Sequence, residues 1–359
     1  MLRTPSLEHV RALTDDVGIH QHAAYDIPNR SEGYCTDDVA RAFIVTNLAG
    51  REALRLGRIY LSFLAHAQRP DGRFRNFMSY ERTWLDEIGS PDSNGRAIWA
   101  LGHGMRHAPQ DTWRERCADL LGRALPHVAG LDFLHARAYA ALGLAHARSS
   151  GIAPDPGAVV TELRAIGADL SARHAACAGP GWDWFEDVLT YDNARIPEAL
   201  LRIGTVLDDS RLIDLGVRTF AFYESIVVED GIFVPIGNDG WYVRGERRAR
   251  YAQQPLEAAA FVDAALAAEA DTGDVRYRRL AEIGFAWFLG RNSQSVVMVS
   301  GGACCDGLEE RAVNRNMGAE STLAYVASAF AMAGRGGPGR PVVRAPAGPR
   351  HEEARRRIR

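Results

Sequence analysis

The sequence predicts an all-α fold, an (α/α)6 toroid with short β-hairpins in the long loops at its mouth. Three observations carry the prediction: a polar phrase that recurs before one Ala- and Leu-rich stretch after another, two interleaved sets of helical patterns, and connections that alternate between short and long. The phrases are Asp37-Asp38-Val39-Ala40-Arg41, Asp92-Ser93-Asn94-Gly95-Arg96-Ala97, Asp192-Asn193-Ala194-Arg195, Gln254-Pro255-Leu256-Glu257-Ala258 and Asn316-Met317-Gly318-Ala319-Glu320-Ser321, with a weaker sixth member, His135-Ala136-Arg137-Ala138. Spacings of 55, 43, 57, 62 and 63 residues between them suit a helical hairpin plus a loop.

Apolar spacing at i, i+3, i+4 and i+7 gives the elements in order. The stretches opened by the phrases, 37–50, 92–105, 135–148, 192–206, 254–269 and 318–332, are apolar on most sides, as inner helices buried between neighbours should be. Alternating with them, 4–16, 51–68, 111–126, 157–176, 208–226 and 274–290 carry Arg and Glu on one face and Leu, Ile and Phe on the other, the pattern of an outer ring. Inner-to-outer links are brief, as at Ala49-Gly50-Arg51 and Leu207-Asp208-Asp209, whereas 69–91, 227–253 and 291–317 are long. The long links emerge on the face where inner helices begin. Loops of that length are generally functional, and these carry Trp, Tyr and strand-like pieces such as Gly231-Ile232-Phe233-Val234-Pro235. The mouth of the ring is therefore the expected active face.

Closure into a ring lets a chain of 359 residues form one domain, expected over 1–333. The remainder, 334–359, has eight arginines against Glu352 and Glu353 and almost no large apolar side chains, so a disordered Arg/Pro/Gly-rich tail is expected there. The formal charge is −3, and removing the tail's +6 leaves a body near −9. Such a body favours neutral or cationic ligands and gives no reason to expect a nucleic-acid partner. Every one of the 42 basic residues is Arg, so neither a Schiff-base lysine nor a P-loop lysine is available. Five cysteines without framework spacing and an N-terminus lacking an apolar signal core lead to the expectation of a reduced cytoplasmic protein. Nor does any stretch reach the apolar length of a membrane span.

Helix N-termini hold carboxylates ionised and oriented, which gives Asp37, Asp38, Asp92 and Asp192 a shared role at one mouth, although any single one also reads as a cap. Adjacent carboxylates raise one another's pKa, and indole rings add desolvation, the combination that keeps an acid protonated at neutral pH. Trp182-Asp183-Trp184-Phe185-Glu186-Asp187 supplies both within six residues. Asp187 or Glu186 is the expected acid and Asp92 the expected base of a pair flanking a glycosidic bond, with Asp38 and Glu320 in reserve. Trp84, Trp182, Trp184, Tyr191, Trp241 and Tyr242 are candidate stacking platforms. Asn94, Arg96, Asn193, Arg195, Gln254, Glu257 and Asn316 are candidate hydroxyl binders. His20, His22 and Cys35, or Cys304-Cys305, have zinc-compatible chemistry, but adjacent cysteines are not the usual spaced pair, and the expectation is no metal and no cofactor. Cys35 reads as a small buried hydrophobe rather than a nucleophile.

Gly33-Tyr34-Cys35-Thr36-Asp37-Asp38-Val39-Ala40-Arg41, Asp92 to Ala97, Tyr191-Asp192-Asn193-Ala194-Arg195 and Gly318-Ala319-Glu320-Ser321-Thr322 resemble the phrases of a poorly characterised bacterial family. Its members often carry a glycosyltransferase label or are fused to glycosyltransferases, and the family is similar to the six-hairpin glycosidase superfamily of (α/α)6 toroids. The resemblance spans about residues 18–332 and implies glycoside hydrolases, unsaturated-uronyl hydrolases, sugar epimerases or lyases. A nucleotide-sugar transferase domain is not expected, since no strand–helix alternation or Gly-rich phosphate loop is present. The expected function is hydrolysis of an oligosaccharide by a carboxylate pair. Two rivals use the same residues differently: an epimerase or isomerase with His20, His22 or His135 as base, and a non-catalytic glycan-binding protein of a polysaccharide pathway.

Overall fold

Residues 5–334 are described by a computed structural model of the chain. The expected tail lies outside the described residues apart from Gly334. Twelve α-helices of five or more residues follow one another among the described residues: α1 (Glu8–Ala12), α2 (Thr36–Ala49), α3 (Leu54–Ala67), α4 (Pro91–His107), α5 (Asp111–Ala124), α6 (Leu134–Ser150), α7 (Pro156–Cys177), α8 (Arg195–Leu207), α9 (Ser210–Val227), α10 (Pro255–Thr272), α11 (Arg276–Ala286) and α12 (Ala319–Met332). The even-numbered helices form a closed inner ring, in which α2 packs on α4, α4 on α6, α6 on α8, α8 on α10, α10 on α12, and α12 back on α2. From outside, α3, α5, α7, α9 and α11 each pack against the inner helix that precedes them, and short α1 packs against α12.

Local chemistry explains the helix starts. Asp37 and Asp38 occupy the first turn of α2, Ser90 caps α4 through the Ser93 N–H, and Asp155 and Asp209 cap α7 and α9. Pro91, Pro156 and Pro255 sit where a helix has no N–H to lose. Gly151 and Gly273 end α6 and α10 in the left-handed conformation.

The inner ring can be narrow because small residues line its seams. A Cβ on Gly102 of α4 would stand 1.9 Å from the Gly143 carbonyl oxygen of α6, and one on Gly143 would stand 2.3 Å from that of Ile98. Backbone therefore meets backbone at this seam. Large side chains such as Phe43, Leu101, Phe220, Phe261 and Phe330 fill the annular core.

All long loops lie at the N-terminal ends of the inner helices. They are knitted by six two-stranded antiparallel sheets, each strand two residues long. Two of these bind different loops together: Tyr34–Cys35 before α2 pairs with Phe77–Met78 before α4, and Val188–Leu189 before α8 pairs with Tyr242–Val243 before α10. Ile232–Phe233, part of the strand-like piece, pairs with Val228–Glu229.

Candidate active site

The recurring phrases converge. Arg41 of α2 reaches Asp37 Oδ2 at 2.7 Å, Asp38 Oδ1 at 3.0 Å and, across the α2–α12 seam, Glu320 Oε2 at 2.5 Å. Arg96 of α4 bridges Asp37 Oδ1 at 2.9 Å and Asp192 Oδ2 at 3.0 Å, lies over the ring of Tyr139, and donates to the Tyr139 hydroxyl. Arg195 of α8 pairs with Glu198 at 2.6 Å and with Asp263 of α10 at 2.7 Å. Glu257 of α10 accepts the Asp192 N–H on one oxygen and the Tyr223 hydroxyl, at 3.0 Å, on the other. Asp192 itself is held at φ +48°, a left-handed turn fixed by these partners. The result is a layer of carboxylates and arginines across the axis of the ring.

Above that layer opens a cleft of about 730 Å³. Its floor is Asp37, Asp38 and Glu320, and its walls carry the amides of Asn29, Asn76, Asn238, Gln254, Asn314 and Asn316, with Phe77 as an exposed aromatic face. Among the described residues no arginine lines it. Carboxylates and amides accept and donate to hydroxyls, while the shortage of cations gives an anionic ligand nothing to neutralise it. Below the layer, a second cavity of about 400 Å³ runs along the axis toward the C-terminal ends of the inner helices.

Burial pushes the Asp38 carboxyl up to about 6: loss of solvent is the largest cause, the nearby Glu320 and Asp37 charges add to it, and Arg41 opposes it. Burial, reinforced by the Asp192 charge, pushes Glu257 up to about 8. Burial acts upward on Asp192 too, but Arg96 and Arg195 outweigh it and hold that carboxyl below its ordinary value. Cys35 donates to Asp38 Oδ2 at 3.2 Å, and burial raises its thiol far above the ordinary range, so it is a hydrogen-bond donor and no nucleophile. Asp37, Asp38 and Glu320 each offer an oxygen within 4.8 Å of the others. Arg41 already supplies the positive charge that holds this trio together.

The sequence-expected residues fall in several places. Asp37, Asp38, Glu320, Gln254 and Asn316 line the cleft. Asp92 accepts a hydrogen bond from Tyr191 at 2.5 Å, and Tyr191 stacks on His135; none of these three is among the cleft-lining residues. Glu186 and Asp187 lie outside the cleft as well: Asp187 is 75% exposed and pairs with Arg244, and Glu186 is 4.0 Å from Arg173. The indoles meant to desolvate them point elsewhere. Trp184 is 1% exposed and packs on Phe185 and Phe222, and Trp182 packs on Phe222 and Tyr242, so neither offers a face to a sugar. Trp84 packs against Phe63 and His66, while Trp241 is exposed with its N–H given to Asn238. Asn94 and Asn193 are pinned to loop backbone at Phe74 and Thr190, and Arg96, Arg195, Asp192 and Glu257 are spent in the ionic layer. Arg41, the hub, closes the first recurring phrase, and its i+3 and i+4 spacing from Asp38 and Asp37 is the signal that marks it as a carboxylate partner. Asn76, Asn238 and Asn314 belong to loops whose convergence no local pattern signals.

No family model matches the chain, and no curated protein matches its sequence. A sugar epimerase from a ruminal bacterium superposes with a TM-score of 0.71 at 12% identity, over 93% of this chain and 97% of that one. The fold is the six-hairpin (α/α)6 toroid. A cellobiose 2-epimerase from Bacillus thermoamylovorans (TM-score 0.70, 12% identity, 92% and 96% coverage) shares it. So does an α-1,6-mannanase from Salegentibacter (TM-score 0.61, 10% identity, 90% and 95% coverage), an inactive variant with two adjacent aspartates changed to alanine, in complex with an α-1,6-mannotetrose. The six-hairpin toroid and its mouth hairpins are as the sequence predicts. No helix among the described residues is long and apolar enough to cross a membrane.

Proposed function

We propose that this chain is a carbohydrate-active enzyme, a glycoside hydrolase that binds a neutral oligosaccharide in the mouth cleft. Asp38 is the proton donor and Glu320 the second carboxylate. The observation that carries the reading is the cleft floor: three carboxylates gathered on one arginine beneath a wall of amides, with Asp38 pushed up to about 6 by burial despite its share of Arg41. A donor must hold its proton near the working pH, and Asp38 does so because it is buried. Glu320 is 38% exposed, which leaves it open to a sugar or a water. Asp37 is gripped by both Arg41 and Arg96 and orients the hub. Carboxylate oxygens within 4.8 Å match the close spacing of retaining enzymes, about 5–5.5 Å between groups, better than the wider gap that admits a water. Two adjacent aspartates are also what the inactive mannanase variant lacks. Asp92 with Asp187, the pair expected from sequence, is the weaker assignment, since Asp187 faces solvent with Arg244.

The test is turnover of a panel of neutral oligosaccharides, followed by proton NMR of the released anomer. Asp38→Asn and Glu320→Gln should each lower kcat by about 100-fold or more while sugar binding persists. Wild-type kcat in either variant would remove that residue from the mechanism. A second reading is favoured by the epimerase neighbours and by His22, exposed in the same cleft: abstraction of a proton next to a carbonyl. Solvent deuterium entering a reducing sugar, with no glycosidic bond broken, would establish that reading in place of hydrolysis. His135, neutral through burial, and His20, buried beside Asp15, are less well placed for it.

A further inference from the structure

Three histidines meet at the end of the axial cavity opposite the proposed catalytic cleft. His103 and His107 are four residues apart on α4, so they project from the same helical face. His146 comes from α6, and the Gly102–Gly143 contact that lets these helices touch also draws its ring to theirs. The ring centroids are 4.5, 4.9 and 5.2 Å apart, and each residue offers a ring nitrogen within 4.8 Å of the others. Nδ1 of His146 is buried without a hydrogen-bond partner, a costly state for a polar atom unless something else satisfies it. Asn47 Nδ2 stands 3.4 Å from His103 Nδ1 while Asn47 Oδ1 is buried without a partner; exchanging the two ends of this amide gives Nδ1–H of His103 an acceptor and leaves Nε2 free to ligate.

We propose that His103, His107 and His146 form a binding site for a zinc-class divalent transition metal, independent of the sugar cleft. Three imidazoles with an open fourth position are a recognised zinc donor set, and imidazole also suits cobalt, nickel and copper. Arg106 and Arg202 line the same cavity and oppose a cation, but four carboxylates line it against five arginines, so its charge nearly balances. The three histidines line the cavity, whose wall also carries Ser149, Thr205 and Asp271. A metal there would brace α4 against α6.

The experiment uses the chelator-treated full-length protein, titrated with zinc by calorimetry and with cobalt by visible absorption. One equivalent of zinc is expected, with a rise in melting temperature and cobalt bands of nitrogen and oxygen coordination. Loss of even an outer-shell partner costs roughly 10- to 100-fold in metal affinity, so His107→Gln and His146→Gln should each weaken binding by at least that much. Circular dichroism without metal confirms that both variants are folded. Should the folded double variant bind zinc as tightly as wild type, or should wild type bind no zinc, the site is refuted. Both variants should keep sugar turnover in the absence of metal, so failure here leaves the hydrolase proposal standing.

Discussion

Asp38 and Glu257 are two carboxylates in one layer with different consequences, and burial is the main cause in both. Asp38 is raised from 3.8 to about 6 in the fold, so its contribution to stability is fully present below the unfolded value and is lost as pH rises through 6. Asp38→Asn should therefore melt at the same temperature as wild type or higher at pH 7.5, with the difference shrinking toward pH 4, even as activity disappears. Melting curves across that range decide it, and a large loss of stability at pH 7.5 would contradict the assignment. With Asp38 as the proposed proton donor, kcat/KM should fall as pH rises through about 6, because the donor empties. Glu257 is raised from 4.5 to about 8, so its contribution is lost as pH climbs through 8. Wild-type stability to urea should fall between about pH 5 and about pH 8 by on the order of a few kcal/mol and level off above that, and Glu257→Gln, which mimics the protonated acid, should flatten the fall. At this scale the sequence was partly legible. Adjacent acids at Asp37-Asp38 pointed to the raised Asp38, but nothing local announced that Glu257 sits beneath Asp192 while Asp187 stands in solvent.

At the scale of elements, apolar periodicity placed the helices closely because inner helices are buried on nearly all sides and outer ones on a single face. The expected 92–105 is Pro91–His107, and the expected 157–176 is Pro156–Cys177. Departures have local causes. The eighth helix begins at Arg195 and not at 192, because Asp192 is left-handed and its N–H goes to Glu257. The first outer helix spans only Glu8–Ala12, since the chain beyond Leu13 turns into a bridge between Thr14 and Ile19. The α4–α6 seam yields a prediction of its own. Gly102→Ala drives a methyl into a carbonyl 1.9 Å away, with backbone on both sides and no flexible tip to yield. A cost at or above the usual overpacking range of about 1–3 kcal/mol is expected, measured as a shift in the urea midpoint. Gly50→Ala is a poor control, being strained at φ +67° despite open space, whereas Gly130→Ala, with nothing near its Cβ, should be close to neutral.

Ring closure decides which residues meet in the whole molecule, and this is why the sequence showed the mouth but not its wiring. Arg41 and Glu320 are 279 residues apart, yet they touch because α12 closes on α2, a contact that depends on the cumulative rotation of all the hairpins. Closure also divides the axis in two. Arg41, Arg96 and Arg195 neutralise carboxylates within the layer and are not presented to the cleft above, whose wall is amide and carboxylate. The cations of the floor are already paired with Asp37, Asp38 and Glu320, while the cleft lining adds Glu32, Asp306 and Glu309 and no arginine, so a uronate would meet negative charge without compensation. A neutral oligosaccharide should therefore bind at least tenfold more tightly than the same chain carrying a uronic acid, a difference of about 1.4 kcal/mol. Added salt should narrow the gap by screening the repulsion. Calorimetric titration of matched neutral and acidic oligosaccharides at two ionic strengths measures both effects; equal or tighter binding of the acidic chain would mean that the arginines of the layer turn outward to meet it, and that the cleft's charge has been assigned the wrong sign.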